Sequence, residues 1–394
     1  MDPFPRRRGD PQVEAELRRR IRARGAIPFA EFMEVALYHP GGGYYEGHVE
    51  FGPRGDFVTS PETHPAFGAL LARLTCRMWR ALGQPPEFHV IEHGAGTGSL
   101  CRQLLSAAPA CEPGFDAVLR YTIVETSAHL RARQQESLAD FGPRLAWVSP
   151  GAAVRVPAGC VLANEVVDAL PVHRVVLQAG VLREAQVALV DDRYSEVLGA
   201  PTAPELAAHL ARLAVPLLEG QPLEICLAAG PWLRSAAAML GTGYLLAIDY
   251  GGAGEELVRA AGPRGGLRCF SQHGWTDDPY DQPGLQDITA PVDFAELAWQ
   301  AQASGLAVES EQSQRELLLG LGLRALATAL TALDLPVTER QRNLRALSDL
   351  IGPAGLGRFR ALLVRKCAPS LETAAADVEF TTGTPLLPAE TQGW

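Results

Sequence analysis

The segment Phe88-His89-Val90-Ile91-Glu92 reads as an apolar strand, and it runs through His93-Gly94-Ala95-Gly96-Thr97-Gly98 straight into a helix from Ser99 to about Ala107. Few local patterns constrain a chain as tightly. Glycines let the backbone turn sharply and come close to a ligand, and the helix that follows offers unpaired N–H groups. The spacing is G-x-G-x-G, whereas the dinucleotide fingerprint G-x-G-x-x-G places its third glycine one position later. Glu92, two residues before the first glycine, would repel a pyrophosphate; it suits the sulfonium and amino groups of S-adenosylmethionine. An ordinary tight strand–helix turn is the competing reading.

The same alternation continues along the chain. Strands are expected at Tyr121–Glu125, Leu145–Val148, Cys160–Asn164 and Gly243–Tyr250, with a helix over 127–139. Strands that alternate with helices in this way imply a parallel sheet with helices on both faces, an α/β fold. About eighty residues separate the fourth and fifth strands, far more than a usual connection. Residues 172–190 alternate apolar and polar around Ala179-Gly180, which predicts an inserted antiparallel hairpin, followed by a helix over 203–217. Four helical segments follow over 293–350, and Phe359–Arg365 reads as a last strand.

At the N-terminal side, a helix is expected at 11–24 and an aromatic, glycine-rich arm over Ile27–Asp56. Ser60-Pro61-Glu62 then announces a helix with Ser60 as its N-cap, carrying Phe67, Leu70, Leu71, Leu74 and Met78 at helical spacing. Residues 40–62 have the makings of a lid, with Gly41, Gly42 and Gly43 as hinge and Tyr44 and Tyr45 as apolar cover. The layout is therefore an arm and lid helix over 1–83, a sheet core over 84–366 with an insertion at about 172–222 and the helical segment at about 293–350, and an irregular tail over 367–394.

Composition bounds the function. The chain has 394 residues, 47% of them hydrophobic, and a net charge of −10, which argues against general nucleic-acid binding through phosphates. No window approaches a membrane span. Seven scattered cysteines without a C-x-x-C fit reduced thiols in a cytoplasmic protein, and no metal site is expected.

Three further sets of polar residues stand at strand ends, where ligands bind in open α/β sheets. Glu125 follows the second strand about thirty residues after the glycines, in the place of a ribose-binding acid. Asn164-Glu165-Val166-Val167-Asp168-Ala169-Leu170-Pro171 ends the fourth strand. His273 and Asp287 lie in a later loop expected to approach from above the sheet, with a hydrogen-bonded structural role as the competitor for His273.

Taken with Gly55–Glu62, Phe67-Gly68, Ile248-Asp249-Tyr250-Gly251 and the block from Leu267-Arg268-Cys269-Phe270 through Gln286-Asp287-Ile288-Thr289 to Val292-Asp293-Phe294, these motifs resemble the MidA-like proteins over roughly residues 25–366. That family includes the mitochondrial complex I assembly factor and protein arginine methyltransferase. The resemblance implies a class I methyltransferase with a Rossmann-like sheet, S-adenosyl-L-methionine as donor, and an arginine side chain of a protein as acceptor. Thr59, Ser60, Pro61, Glu92, Gly94, Ala95, Gly96, Thr97, Gly98, Glu125, Asn164 and Glu165 are the expected cofactor residues. A guanidinium acceptor needs carboxylates to orient it: Glu165 first, then Asp168 or Asp287, with His273 as a further catalytic candidate. The chain departs from the family at His93, at Gln103 where an Asp is usual, and at Pro291 where a His is usual. A small-metabolite acceptor, and an assembly factor that binds the cofactor without turnover, are the alternatives; a homodimer stays open.

Overall fold

The computed structural model describes residues 8–47, 49, 58–213, 215–271 and 274–371. His273, the stretch 48–57 apart from Val49 and the tail from 372 onward lie outside the described residues, and with them part of the expected lid.

Seven strands form the main sheet: β1 (Phe88–His93), β2 (Leu119–Val124), β3 (Leu145–Val148), β4 (Val156–Asn164), β5 (Leu240–Asp249), β6 (Ala307–Ser313) and β7 (Arg360–Lys366). Their order is β6-β7-β5-β4-β1-β2-β3, with β7 antiparallel to both its neighbours and the pairs among β1 to β5 parallel. Strand order reverses between β1 and β4, which opens a crevice at their carboxyl ends.

Strand alternation sends neighbouring side chains to opposite cores. Val90, Tyr121, Cys160, Leu162 and Leu246 pack with Phe67, Leu70, Leu71, Leu104 and Leu318 on one face. Ile91, Val161, Leu245 and Ala247 pack with Leu233, Ala236, Phe294 and Leu297 on the other. The chain is thus an α/β protein with helices on both faces of the sheet. One connection breaks the pattern: β3 reaches β4 through the loop 149–155, without a helix.

Several elements differ from the sequence reading. Most of the arm over Ile27–Asp56 that is described is not loop: Phe29–Tyr38 is a helix, with Phe29, Phe32, Met33, Ala36 and Leu37 buried at helical spacing. The helix expected to start at Ser60 is two helices, Ser60–Thr63 and Ala66–Ala81, and the residue at the N-cap is Thr59. Pro65 explains the break, since the residue before a proline is pushed out of the helical region; His64 is extended at φ −163°, ψ 139°. Its ring then accepts the Ala66 N–H at 3.0 Å and starts the second helix. The hairpin around Ala179-Gly180 is present, His173–Gln178 with Val181–Val190, but it belongs to a five-stranded sheet with Ala26–Pro28, Arg193–Gly199 and Leu223–Ile225. The helix read over 203–217 is confined to Glu205–Leu213. The helical segment 293–350 holds four helices and also β6, whose half-buried residues show no clean alternation.

The N-terminal helix Pro11–Arg24 is capped by Asp10, whose carboxylate accepts the N–H groups of Gln12 and Val13. It buries Val13, Leu17 and Ile21 with Phe29 and Phe32 against Val187, Tyr280 and Ile288. This second core fastens the arm above the carboxyl ends of the main sheet.

Candidate active site

Above β1, β2, β4 and β5 lies one cavity of about 1170 Å3. Twelve of the residues expected from the sequence line it: Thr59, Pro61, Glu92, Gly94, Ala95 and Gly96 among them, and also Thr97, Glu125, Asn164, Glu165, Asp168 and Asp287. Two do not. Gly98 sits behind the loop, and Ser60 turns its hydroxyl to Gln314, 3.0 Å away in the buried helical segment.

The glycine loop has backbone reasons for its composition. Gly94, Gly96 and Gly98 have φ of 63°, 55° and 84°, the left-handed region that disfavours side chains. A Cβ on Gly98 would also meet Leu138 Cδ1 at 2.9 Å, which makes this glycine a packing residue of the loop. Thr97 and Ser99 both donate their hydroxyls to Glu62, so the short helix Ser60–Thr63 is pinned onto the loop. Gln103 donates to the Pro61 carbonyl at 2.7 Å and accepts from the Gly68 N–H at 3.1 Å. A carboxylate could not make the first of these bonds.

Glu92 and His93 follow the strand alternation to opposite faces. Glu92 is buried and accepts the Tyr121 hydroxyl at 2.8 Å. Burial pushes its carboxyl up to about 8, with Glu125 adding to the rise, so it faces the cavity largely neutral at pH 7. On the other face, the Trp232 indole donates to His93 Nδ1 at 3.3 Å, which leaves the proton of the neutral ring on Nε2. That atom is buried and has no partner among the described residues, and burial lowers the ring to about 4.

Glu125 is held at both oxygens. One accepts the Ser127 N–H at 3.0 Å, the other the Gln134 amide at 2.9 Å. Gln134 also donates to the Gly96 carbonyl at 2.9 Å and accepts the Trp147 indole N–H at 3.1 Å. This fully buried amide ties the acid to the glycine loop. Sequence reasoning missed it, although a glutamine on the inner face of a short helix was the available signal. The loop 149–155 continues the cavity wall beside Glu125 and was also missed.

The β4 loop is built on an acid the sequence reading gave no role. Asp249, fully buried at the end of β5, accepts the N–H groups of Val166, Val167 and Asp168 at 3.2, 3.0 and 3.1 Å through one oxygen and that of Tyr250 at 2.9 Å through the other. Three successive N–H groups converging on one anion form a nest. Glu165, at φ 56°, is strained for a residue with a side chain, and its carboxylate accepts the Ser60 N–H at 3.1 Å and the Asn164 amide at 2.8 Å. Asn164 Oδ1 is buried without a partner among the described residues. Opposite, Tyr45 donates to Asp287 at 2.9 Å and Tyr38 to the Ala169 carbonyl at 2.9 Å, with the two rings stacked 5.5 Å apart.

Burial and mutual repulsion lift this acid group. Glu165 rises to about 7 and Asp249 to about 8, both chiefly by burial, and Asp168 lies well above its ordinary range through burial and the charges of Asp249, Asp287 and Glu165. Like charges in so dry a site hold their protons until a cation arrives.

Glycines free of side chains, a ribose-range acid at Glu125 and an unpaired carbonyl on Asn164 fit S-adenosylmethionine in the half of the cavity above β1 and β2. Comparison with known proteins agrees. Residues 70–312 match the model of a family described as S-adenosyl-L-methionine-dependent methyltransferases. The mitochondrial protein arginine methyltransferase NDUFAF7 homolog of Drosophila melanogaster is 31% identical over 318 residues, covering 73% of this chain and 69% of that protein. The human mitochondrial protein arginine methyltransferase NDUFAF7 is 27% identical over 373 residues, covering 87% of this chain and 81% of its own length. A crystal structure of a candidate methyl transferase from Burkholderia thailandensis, bound to S-adenosyl-homocysteine, superposes with a TM-score of 0.80 at 34% identity, covering 91% of this chain and 93% of that one.

Proposed function

Since the chain belongs to the family of S-adenosyl-L-methionine-dependent methyltransferases, we propose that its acceptor is an arginine side chain of a protein partner. One observation carries this reading: the carboxyl groups of Glu165, Asp168 and Asp287 come together on the wall of one cavity. A guanidinium supplies charge and several donors in one plane, and a carboxylate can engage it through two parallel bonds. The Drosophila melanogaster and human relatives are named as arginine methyltransferases, which supports this reading.

The chain's own residues divide the work. When bound, S-adenosylmethionine supplies an electrophilic methyl group on a sulfonium. Gly94, Ala95, Gly96, Thr97 and Glu125 would hold it, with Asn164 Oδ1 as a further acceptor and Thr59 and Pro61 closing one side. Glu165, fixed by Ser60 and Asn164, keeps one oxygen free to orient the attacking nitrogen. As that nitrogen gains a methyl group it must release a proton, and a carboxylate lifted to about 7 is matched to receive it near neutral pH. The stacked Tyr38 and Tyr45 exclude water from Asp287 and Asp168. Among the described residues no helix is long and apolar enough to cross a membrane. The cysteines are all unpaired thiols, which supports a reducing compartment, the cytoplasm, for this chain.

The test uses labelled S-adenosylmethionine with cell lysate, followed by mass spectrometry of labelled protein. Methyl groups are expected on arginine, and Glu165→Gln should cut turnover at least ~100-fold with cofactor affinity little altered, the scale of one preorganised electrostatic contact. Label only in small molecules would replace the protein acceptor with a metabolite. Binding with no product at all would support an assembly factor without turnover.

A further inference from the structure

The acid floor of the cavity is overlooked by free cations. Arg268 and Arg358 both line the cavity and are both exposed. Neither side chain makes a hydrogen bond or an ion pair with a described residue, whereas most arginines of the N-terminal helix and of the insertion do. Both belong to segments that pass close to Tyr250. Arg268 lies close enough to perturb the Tyr250 hydroxyl electrostatically, and Phe359, the neighbour of Arg358, has its ring 6.1 Å from that of Tyr250. Local structure explains both placements. Cys269 is buried in the core beneath its strand, so strand alternation sends Arg268 and Phe270 to the cavity side. Arg358 closes a single turn of 3-10 helix just before β7.

This arrangement sets a puzzle for a basic substrate. A guanidinium bound for Glu165, Asp168 and Asp287 must pass two guanidiniums at the mouth, and like charges there oppose entry. An acceptor that brings its own negative charge next to the arginine turns the same two residues into partners, because Arg recognises carboxylates through a fixed fork of donors. We propose that Arg268 and Arg358 select acceptor segments in which the methylated arginine is flanked by acidic side chains. The inference rests on the arginine reading of the site and adds the substrate's sequence context. It makes the pair specificity residues that touch neither the donor nor the transferred methyl group.

The experiment compares peptides with a single arginine flanked by Glu, by Ala or by Lys, using the full chain. Two quantities are read separately: kcat/KM for methyl transfer, and affinity for the protein saturated with S-adenosyl-homocysteine. Glu-flanked peptides should exceed Lys-flanked ones by roughly tenfold in both, the size of one charge-assisted contact. The double variant Arg268→Glu with Arg358→Glu should invert that order, the double Ala variant should erase it, and S-adenosyl-homocysteine should bind all three proteins alike. Methylation that ignores the flank, or the same preference in the charge-reversed variant, overturns the inference and leaves the arginine reading standing. Flank-dependent binding without methyl transfer does the reverse. Free arginine serving as well as the Glu-flanked peptide would move the selected carboxylate from a neighbouring side chain to the acceptor's own backbone, and would overturn the protein-segment proposal.

Discussion

Gln134 donates both of its amide protons, one to the Gly96 carbonyl of the glycine loop and one to Glu125, while the Trp147 indole holds its carbonyl end. The indole can only donate, so it fixes which end of the amide faces the loop. Replacing Gln134 by Glu would set carboxylate oxygens against two acceptors. Cofactor affinity should fall at least ~10-fold, as expected for about 1.5–3 kcal/mol in charge-assisted bonds, while kcat at saturating cofactor stays within about twofold. In a Glu125→Ala background the same change should cost much less, because one of its two partners is gone. Calorimetry with S-adenosyl-homocysteine on the four proteins of this cycle decides it, and full additivity would make Gln134 a residue of general stability. The residue scale is also where sequence reading reached furthest. Glycines and strand-end acids announce themselves by spacing, which is how Glu92, Gly94, Gly96, Glu125, Glu165 and Asp168 were legible. Gln134 and Asp249 were not, because their roles depend on which distant groups they meet, and the hydrogen bond from Tyr45 to Asp287 lay hidden behind its reading as apolar cover. The electrostatics at Glu92 were hidden for the same reason: the sequence shows an acid before the glycines, whereas the fold buries that acid against Tyr121 and raises its pKa to about 8.

The short helix Ser60–Thr63 is joined to the glycine loop and to the β4 loop at once, through Glu62 on one side and the Ser60 N–H on the other. Four residues form no stable helix alone, so these contacts hold it in place. Glu62→Ala removes the acceptor shared by Thr97 and Ser99. Hydrogen exchange over 60–63 and 94–99 should speed up, and cofactor affinity should drop by about 1–2 kcal/mol, while the far core over β2 and β5 keeps its protection. Unchanged exchange in both segments would show that the helix is held by its other contacts. Element existence was largely readable where apolar spacing was regular, as in β1, β2, β4, β5 and the helix Ser99–Ala107. It failed where two signals overlapped. The helix Phe29–Tyr38 was hidden by its setting in an aromatic, glycine-rich stretch, although its own apolar positions are well spaced. The break at His64-Pro65 was missed because the apolar positions that marked the helix, Phe67 to Met78, all lie beyond it. β6 was missed because both its faces are half-covered, which removes the alternation that marks a strand.

Three carboxyl groups with folded values of about 7 to 8, Glu92, Glu165 and Asp249, make the whole molecule a proton acceptor on folding. Each is neutral in both states at low pH and charged in both above its folded value; in between, unfolding releases its proton. Stability is therefore full below about pH 4.5 and is lost as pH rises towards about 8, by up to ~1.4 kcal/mol per unit for each group titrating. Urea unfolding at pH 5.5, 7 and 8.5 should show the decline, and Glu92→Gln, which keeps an acceptor for Tyr121, should flatten it. Stability that climbs across the same range would mean these acids are ionised in the folded chain. Another property of the whole molecule follows from the place of β7. It lies inside the sheet, between β5 and β6, yet it is made last. During synthesis, the outer edge of β5 waits for a partner that is encoded roughly 110 residues after Asp249, which at 5–20 residues per second is a delay on the order of 6–22 s. β6 emerges within that interval and must not take the vacant position. A nascent chain of this protein thus offers the ribosome's surroundings an open strand of Leu, Ala and Ile, and its yield in the cell depends on what shields that edge until residue 366 has left the tunnel.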